Sequence, residues 1–389
     1  MIRSGKDVAT GEAIVIEFDE TIRSVQTAET EPVEPGTEFS GTGTVYLAPG
    51  FIDLQINGFA GVDFNNPHAP LEEIARALEV IFSTGVTRCL PTVITGSPDG
   101  MLACLRNLRR GQSTLPRGIA IAGFHVEGPH IGAEDGPRGA HPARWVRPPD
   151  LDEFARWQDA TDGNIRLVTL SPHWPEAPRY IAAVTRAGAA ASIGHTGANA
   201  DQIAAAVDAG ATLSTHLGNA ALRLLPKFPN FLWYQLAEDR LSASFIVDGL
   251  HLDDTFLRVA LRAKTVERTV LVTDAAAPAG AIPGRYRLGE LDVDLTPDDR
   301  VVLAGTGKLA GSALRMDRAI ANLMRIGHLS LRDAVHTATV NPARLIHLEG
   351  RTKGLTPGDR GDVVVLRETD SPQHALAIEA VYLDGMRVA

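Results

Sequence analysis

Several apolar runs in this sequence end in polar residues that can bind a metal ion or carry a proton. Glu127, His195 and His216 each follow such a run, and together they offer one carboxylate and two imidazoles. Catalytic zinc uses such ligands and keeps one coordination position open for water, and iron(II), manganese and cobalt accept the same set. The two cysteines, Cys89 and Cys104, form no CxxC pair, so we expect neither a thiolate metal site nor a disulfide framework.

Two further residues could carry the chemistry of a hydrolase. Asp274 closes another apolar run, and its carboxyl group can take a proton from water and return it to a leaving amine. The alternative is that Asp274 caps a helix in the Ala-rich stretch behind it. His141, in the string RGAHPARW, is either a hydrogen-bond donor to a developing oxyanion or a solvated loop residue.

Eight strand-like runs alternate with helical patterns and supply the elements that position these residues. Strands that alternate with helices pair in parallel, and eight such units predict a closed (β/α)8 TIM-like barrel of the α/β class. Active sites of such barrels lie at the carboxyl ends of the strands, so we expect the polar residues to converge there. The runs cover 51–56, 86–94, 119–126, 165–170, 189–193, 211–215, 242–247 and 269–273. Helical patterns include 71–81, 176–187, 200–209, 254–263, 314–326 and 331–339.

Short strand patterns at both ends of the chain predict a second, smaller unit. The strand patterns are AIVIEF near the amino end and GDVVVL and AVYLDGMRV near the carboxyl end. The string EPVEPGTEFSGTG predicts turns, and the segment between GDVVVL and AVYLDGMRV predicts a polar loop. We therefore expect a small β-sandwich domain built from residues 1–48 and 350–389, with the catalytic barrel at 49–349. The long Gly-rich segment after the eighth run predicts an excursion over the barrel mouth.

The composition is that of an ordinary soluble globular protein and excludes several classes of function. The chain has 389 residues, of which 44% are hydrophobic and 22% charged, and its net charge is -10. An acidic chain is not typical of a dedicated nucleic-acid binder. No apolar run is long enough to span a bilayer, and the amino end lacks a secretory signal pattern. We expect a cytoplasmic enzyme with neither a nucleic-acid nor a membrane partner.

Eight strings in chain order carry a resemblance that covers nearly the whole sequence. They are PGFIDLQING, HVEGPHI, GHTGANADQI, THLGNA, VDGLHLD, LVTDAAAPAG, LAGSALRM and NPARLIHLEGRTKGLTPGDRGDVVVL. Together they resemble the N-acetylglucosamine-6-phosphate deacetylase family of the amidohydrolase superfamily. The resemblance implies a metal-dependent barrel with a small β-sandwich domain. It also implies hydrolysis of the N-acetyl group of N-acetylglucosamine 6-phosphate, or a closely related N-acetylhexosamine phosphate, to the amino sugar and acetate.

The resemblance also assigns roles to the candidate residues. It implies that Glu127, His195 and His216 hold the metal, that Asp274 is the catalytic acid and base, and that His141 polarises the amide carbonyl. One divalent ion is expected, with zinc as the first choice and iron, manganese or cobalt as alternatives. A homodimer is expected as well, because the phosphate site of the family is commonly completed by a neighbouring subunit.

Further positions correspond to substrate contacts and to a second metal site. The implied substrate contacts are Asn219, Ala220, Lys227, His251 and Leu309. Lys227 replaces the arginine that the family commonly places on the sugar phosphate, and lysine binds phosphate as a point charge without a planar fork. Arg223, just before it, is another candidate anion binder.

The first run ends in Gln55-x-Asn57, where many members carry His-x-His and bind a second ion. Gln55 and Asn57 therefore mark a second-site position without metal, and the resemblance implies a single-metal enzyme.

Three alternatives stay open on the sequence. The substrate could be an unphosphorylated or differently substituted N-acetylhexosamine, because Lys227 is atypical and its surroundings are more apolar than usual. The chain could be a catalytically inactive amidohydrolase-fold scaffold, against which Glu127, both histidines and Asp274 argue. It could hydrolyse a cyclic amide or a dipeptide. Such enzymes often carry a carboxylated lysine at strand four, whereas the fourth run here ends in Leu170-Ser171-Pro172.

Overall fold

Eight parallel strands, hydrogen-bonded in chain order, form the central sheet. The structure is a computed structural model, and it describes residues 1–28, 43–222, 224–369 and 376–389. A parallel bridge between Ile56 and Ala275 joins the first strand to the end of the eighth, so the sheet closes into the predicted barrel. The barrel strands are Phe51–Ile56, Val86–Ile94, Phe124–Glu127, Ile165–Leu170, Ala190–Ile193, Ala211–Ser214, Ser242–Ile246 and Thr269–Val272.

Helices cover the outside of the barrel. The first buries Ile74, Leu78 and Ile81 against the sheet, as their spacing of three and four residues predicts. The described helices are Leu71–Phe82, Pro98–Thr114, Leu151–Ala160, Ala177–Arg186, Ala200–Asp208, Phe231–Ala237, Asp254–Lys264, Met316–Gly327, Leu331–Thr337 and Val340–Leu345. Short 3-10 turns occur at Gly118–Ala120, Ala143–Trp145 and Val266–Arg268. Within the described ranges, no helix combines the length and apolar character needed to cross a membrane.

Two of the expected elements differ from the structure. The run at 119–126 begins as the turn Gly118–Ala120 and becomes a strand only at Phe124, because Gly123 adopts a φ of 149° that redirects the chain. The helical pattern at 331–339 ends at Thr337, and a separate helix starts at Val340. Pro342 lies in the first turn of that helix. Its ring lacks an N–H and clashes with a preceding helical turn, so one continuous helix is disfavoured.

Strands from both ends of the chain form a seven-stranded sheet beside the barrel. Alternate residues of its strands face different cores: Val364 and Leu366 pack with the barrel, whereas Val363 and Val365 pack in a second cluster. The order across the sheet is Met386–Arg387, Leu376–Leu383, Val363–Glu368, Val45–Pro49, Ile2–Asp7, Ala13–Phe18 and Ile22–Thr27.

The seven-stranded sheet curls around its own core. Phe18 and Tyr382 lie on strands that are not neighbours in the sheet, yet their rings meet edge to face with centroids 5.2 Å apart. This enclosed core agrees with the expected sandwich of both termini. The expected turn-rich string at 31–43 lies almost wholly outside the described residues, as does most of the loop between the last two long strands. The division at 48/49 and 349/350 stays a prediction.

The chain passes from the small sheet into the barrel at Gly50. A Cβ atom at this position would lie 2.2 Å from the Thr87 hydroxyl oxygen, so no larger residue fits. Near this junction, Asp362 directly precedes the strand Val363–Glu368 of the small sheet and accepts hydrogen bonds from Arg88 of the second barrel strand and from Arg351. All three side chains are buried. A charged network therefore fixes the small sheet to the barrel.

The segment after the eighth strand forms the predicted excursion. It contains a three-stranded antiparallel sheet of Gly284–Leu288, Leu291–Leu295 and Val301–Leu303. Leu288, Leu291 and Leu309 from this segment line the same cavity as the polar strand ends of the barrel. A two-stranded hairpin, Gly58–Phe59 with Val62–Asp63, follows the first barrel strand.

Candidate active site

The carboxyl ends of three barrel strands bring Glu127, His195 and His216 together. Glu127 Oε1 lies 3.2 Å from His195 Nε2 and 3.0 Å from His216 Nε2, and the two Nε2 atoms are 3.2 Å apart. A tetrahedral ion with ligand bonds of about 2.0–2.2 Å places its ligand atoms about 3.4 Å from one another. All three side chains are buried. The spacing and the chemistry of these donors therefore fit a divalent ion.

The backbone turns sharply where the strands end. His195, His216 and Asp274 have φ values of 50°, 30° and 51°, in the left-handed region that residues other than glycine seldom adopt. Each follows its strand by two residues. Backbone strain of this kind concentrates at functional sites, where the surrounding structure holds it in place. It directs these side chains into the barrel mouth.

A backbone carbonyl orients one of the imidazoles. His195 Nδ1 lies 3.0 Å from the Pro137 carbonyl oxygen, and because a carbonyl only accepts, Nδ1 carries the proton. In the neutral ring, the form that binds a metal ion, His195 Nε2 is therefore the atom without a hydrogen, and it faces Glu127. Metal-binding histidines commonly have this arrangement. His216 Nδ1 is buried and has no hydrogen-bond partner among the described residues.

His141 reaches the same point from the loop after the third strand. Glu127, His141 and His195 each present an atom within 4.8 Å of the other two, so His141 is itself a possible ligand. Its Nε2 lies 3.8 Å from Glu127 Oε2, farther than the nitrogens of His195 and His216 lie from Oε1. His141 Nδ1 lies 2.7 Å from the Thr95 hydroxyl, which holds the ring in place.

Asp274 accepts hydrogen bonds from the two amides that end the first strand. Its Oδ1 is 2.7 Å from Asn57 Nδ2 and 3.1 Å from Gln55 Nε2. Gln55 Nε2 also lies 2.8 Å from Glu127 Oε1. No helix begins within the described residues 275–315, so the alternative that Asp274 is a helix cap is wrong. Amide donors occupy the space between the two carboxylates.

Burial and neighbouring charge shift the pKa values of the site in different directions. Burial raises the pKa of Asp274 to about 6, and the negative charge of Glu127 adds to this increase. Burial also favours the neutral form of Glu127, but hydrogen bonds to His195 and His216 hold its pKa well below the usual value. Burial lowers the pKa of His141 to about 3, with a further contribution from His195. His141 is therefore a neutral imidazole near pH 7.

A cavity of about 720 Å3 opens over these residues. Four of the five expected substrate contacts line it: Asn219, Ala220, His251 and Leu309. His251 Nδ1 is paired with Asp248 Oδ2 at 2.6 Å, which leaves Nε2 for a ligand.

Lys227 is the expected contact that the structure does not bring to the cavity. It is exposed, and its Nζ lies 5.8 Å from the ring centroid of Phe228, which is 70% exposed. Arg223 lies outside the described residues. Whether Lys227 contacts a substrate phosphate stays a prediction, because the expected homodimer would complete the phosphate site from a neighbouring subunit.

Sequence reasoning missed several groups that support the site. Thr95 directly follows the second barrel strand, and its position as a polar residue at a strand end could have identified it. The Pro137 carbonyl has no side-chain signal at all. Lys308 lines the cavity from the excursion, where the sequence indicated only Leu309.

Fold and site together define a (β/α)8-barrel hydrolase with a His/Glu site suited to a metal ion. The chain belongs to the amidohydrolase family, whose model matches residues 46–388. N-acetylglucosamine-6-phosphate deacetylase of Bos taurus is 36% identical over 355 residues, covering 88% of this chain and 83% of the bovine protein. The Homo sapiens enzyme of that name is 36% identical over 351 residues, covering 87% of this chain and 82% of its own length.

A solved structure extends the comparison to three dimensions. It is a variant of N-acetyl-D-glucosamine-6-phosphate deacetylase from Mycobacterium smegmatis in complex with N-acetyl-D-glucosamine-6-phosphate. It matches with a TM-score of 0.85 at 32% identity and covers 97% of this chain and 94% of that one. The resemblance to the N-acetylglucosamine-6-phosphate deacetylase family is confirmed, and so is the fold class.

Proposed function

We propose that this protein hydrolyses the N-acetyl group of N-acetylglucosamine 6-phosphate, or of a closely related N-acetylhexosamine phosphate, to the amino sugar and acetate. The observation that carries the proposal is the convergence of Glu127, His195, His216 and Asp274 at one end of the barrel. Relatives with this activity in their names align with nearly nine-tenths of the chain. A substrate complex of a protein with the same fold supports the sugar phosphate as ligand class.

The proposed cofactor is one divalent metal ion held by Glu127, His195 and His216. Zinc is the first choice because the set combines nitrogen and oxygen donors, and iron, manganese or cobalt would accept it. When bound, such an ion supplies a Lewis acid that polarises the amide carbonyl and acidifies water. The side-chain amide of Gln55 donates a hydrogen bond to Glu127, and that of Asn57 donates one to Asp274. This arrangement supports one bound ion rather than two.

Asp274 is proposed to move the proton. Its pKa of about 6 lies near neutral pH, so its carboxylate can accept a proton from the attacking water and its acid form can release one. The leaving nitrogen needs that proton because an amine anion is too poor a leaving group to depart. The amides of Gln55 and Asn57 bind Oδ1 and leave Oδ2 for this transfer.

His141 is proposed to stabilise the oxyanion that develops on the acetyl carbonyl oxygen. In this role its Nε2 carries a hydrogen, and Nδ1 accepts a hydrogen bond from the Thr95 hydroxyl. The neutral ring is suited to this because a neutral donor does not add a second positive charge beside a metal ion. Asn219, Ala220, His251 and Leu309 are proposed to hold the sugar in the cavity above.

Two further parts of the proposal concern assembly and compartment. We propose a homodimer, supported by the exposed apolar side chains of Leu224, Phe228 and Trp233. We propose a cytoplasmic location, supported by two buried cysteines that form no disulfide, Cys89 and Cys104.

The decisive experiment measures acetate release from a panel of N-acetylhexosamines with and without a 6-phosphate, using protein of known metal content. The proposal expects the highest kcat/KM for N-acetylglucosamine 6-phosphate or its epimer. Preference for unphosphorylated sugars would leave a deacetylase with another substrate. Absence of release from every sugar, together with absence of bound metal, would indicate the scaffold alternative.

A further inference from the structure

The fourth barrel strand, Ile165–Leu170, lies between the strand that carries Glu127 and the strands that precede His195 and His216. None of its six described residues lines the catalytic cavity. Thr169, near the carboxyl end of this strand, is completely buried. Any contribution of Thr169 to the site must therefore act through other residues.

The Thr169 hydroxyl joins the segments that hold two of the metal-binding residues. Its Oγ1 lies 2.8 Å from His125 Nε2 and 2.7 Å from Thr215 Oγ1. His125 lies two residues before Glu127 on the same strand, and Thr215 directly precedes His216. One buried hydroxyl group therefore connects the strand of the carboxylate ligand to the residue beside an imidazole ligand.

The methyl group and the backbone of Thr169 make two further contacts of this kind. A Cβ atom at Gly194, the residue before His195, would lie 2.6 Å from Thr169 Cγ2, so only glycine fits against the methyl group. The N–H of Gly128, one residue after the carboxylate ligand, donates to the Thr169 carbonyl oxygen over 3.0 Å. Thr169 thus contacts a residue next to each of the three ligands.

We infer that Thr169 is a positioning residue that fixes the separation of the three metal-binding side chains, mainly through its hydroxyl group. This inference rests on the proposed function, in which Glu127, His195 and His216 hold one ion. Side chains that are already at the correct separation lose less conformational freedom when an ion binds. Loss of a group that orients metal ligands commonly weakens metal binding by about 10 to 100-fold.

The simplest competing role for Thr169 is that of an ordinary buried residue of the barrel core. In either role, loss of the hydroxyl leaves a buried polar partner unsatisfied and lowers the free energy of unfolding. Stability alone therefore does not separate the two roles. Metal affinity does, because a residue with only a packing role changes the stability of the metal-free protein and leaves the affinity of the folded protein for the ion unchanged.

The experiment measures the Kd for zinc, by competition with a chelator, in wild type, Thr169→Val, Thr169→Ser and Thr269→Val. Valine keeps the shape of threonine and removes the hydroxyl, whereas serine keeps the hydroxyl. Thr269→Val is the matched control: Thr269 is also buried in a barrel strand, and its hydroxyl donates to the Thr265 carbonyl oxygen at the amino end of that strand.

We expect Thr169→Val to weaken zinc binding by about 10 to 100-fold. Thr169→Ser should recover most of the affinity, and Thr269→Val should leave it unchanged. The visible absorption of the cobalt(II)-loaded protein gives an independent readout, because its bands depend on the arrangement of the ligands. The bands should change in Thr169→Val and return to those of wild type in Thr169→Ser.

A double-mutant cycle with Thr215→Val tests whether the hydrogen bond between the two hydroxyls carries the effect. Each single change breaks that bond, so the double variant should lose clearly less binding free energy than the sum of the two single losses. Additive losses would overturn the role of this hydrogen bond.

The inference is overturned if Thr169→Val folds and binds zinc as tightly as wild type, or if serine restores neither the affinity nor the cobalt spectrum. If Thr169→Val does not fold, Thr215→Val decides, and an unchanged zinc affinity in that variant overturns the inference. Failure of the proposed function has a different signature, because wild type itself would then bind no divalent ion or would release no acetate from any sugar.

Discussion

Gln55 donates a hydrogen bond from Nε2 to Glu127 Oε1 over 2.8 Å, at the end of the first barrel strand. The same nitrogen is 3.1 Å from Asp274 Oδ1. An amide N–H group cannot ligate a metal, and here it lies between two carboxylates that a second ion would have to share. This relationship between Gln55 and Glu127 is the structural reason to expect one ion per chain.

The first prediction is therefore a metal content of about one equivalent per chain after extensive dialysis. His195→Ala or His216→Ala should lose the ion and turnover together, because each removes one of three protein ligands. Elemental analysis and an activity assay on the same samples test this. Two equivalents, with full activity only when both are present, would contradict the single-ion site.

The second prediction concerns Asp274→Asn, which keeps the shape of the side chain and removes its ability to carry a proton. We expect kcat to fall by about 10²–10⁴-fold, with the metal still bound and KM little changed. Asp253→Asn is the matched control, because Asp253 caps the helix Asp254–Lys264 and asparagine caps a helix about as well as aspartate. Steady-state kinetics and metal analysis on the same samples test this prediction. A near-normal kcat would show that Asp274 does not carry the proton.

The third prediction concerns the Thr95 hydroxyl, which lies 2.7 Å from His141 Nδ1. Thr95→Val keeps the volume but removes the group that orients the imidazole. We expect kcat to fall about tenfold or more with KM and metal content unchanged, because the oxyanion donor acts only in the transition state.

Thr95→Ser is the control for that experiment, since it retains the hydroxyl and should recover most of kcat. If Thr95→Val lowered metal content in parallel with activity, His141 would belong with the metal ligands, as its position within 4.8 Å of Glu127 and His195 also permits. Equal activity in both variants would show that the hydrogen bond has no catalytic role.

Much of the barrel could be predicted because its signals are local. Each strand is a short apolar run followed by a helix with apolar residues three and four positions apart, and alternation of the two predicts parallel pairing. The polar residues after these runs, such as Glu127 and His195, therefore converge in any closed barrel. The distance of 3.2 Å between Glu127 Oε1 and His195 Nε2 is set by the fold and cannot be predicted from the sequence around either residue.

The rest depends on contacts between distant segments. The Pro137 carbonyl orients His195, and because every residue has a backbone carbonyl, the residue type cannot indicate this contact. Lys308 reaches the cavity only because the excursion folds back over the barrel mouth. Lys227 was expected in the substrate site from resemblance alone, and it does not line the cavity of its own chain. Loops without periodic patterns do not reveal their direction in sequence.

The last prediction concerns the buried charges between the barrel and the small sheet. Asp362 Oδ2 accepts a 2.7 Å hydrogen bond from Arg88 Nε, and Arg351 binds the same oxygen. Burial would raise the pKa of Asp362, but the two guanidinium groups lower it to about 2. Asp362→Asn leaves the buried Arg351 without its ion-pair partner and leaves Arg88 with Asp384 alone, so we expect a loss of about 3–5 kcal/mol in the free energy of unfolding at neutral pH. Asp294→Asn, at an exposed pair with Arg285, should change it little.

The pH dependence of that difference gives the sharper test. Because the folded pKa is depressed, the Asp362 charge stabilises the fold fully above the unfolded pKa of about 4, and this stabilisation is lost as pH falls through about 2. Urea unfolding of wild type and Asp362→Asn should therefore show a constant gap down to about pH 5 and a shrinking gap below about pH 4. A gap that widened on acidification would mean that the folded pKa of Asp362 lies above its unfolded pKa, and the two guanidinium groups would then not stabilise the carboxylate.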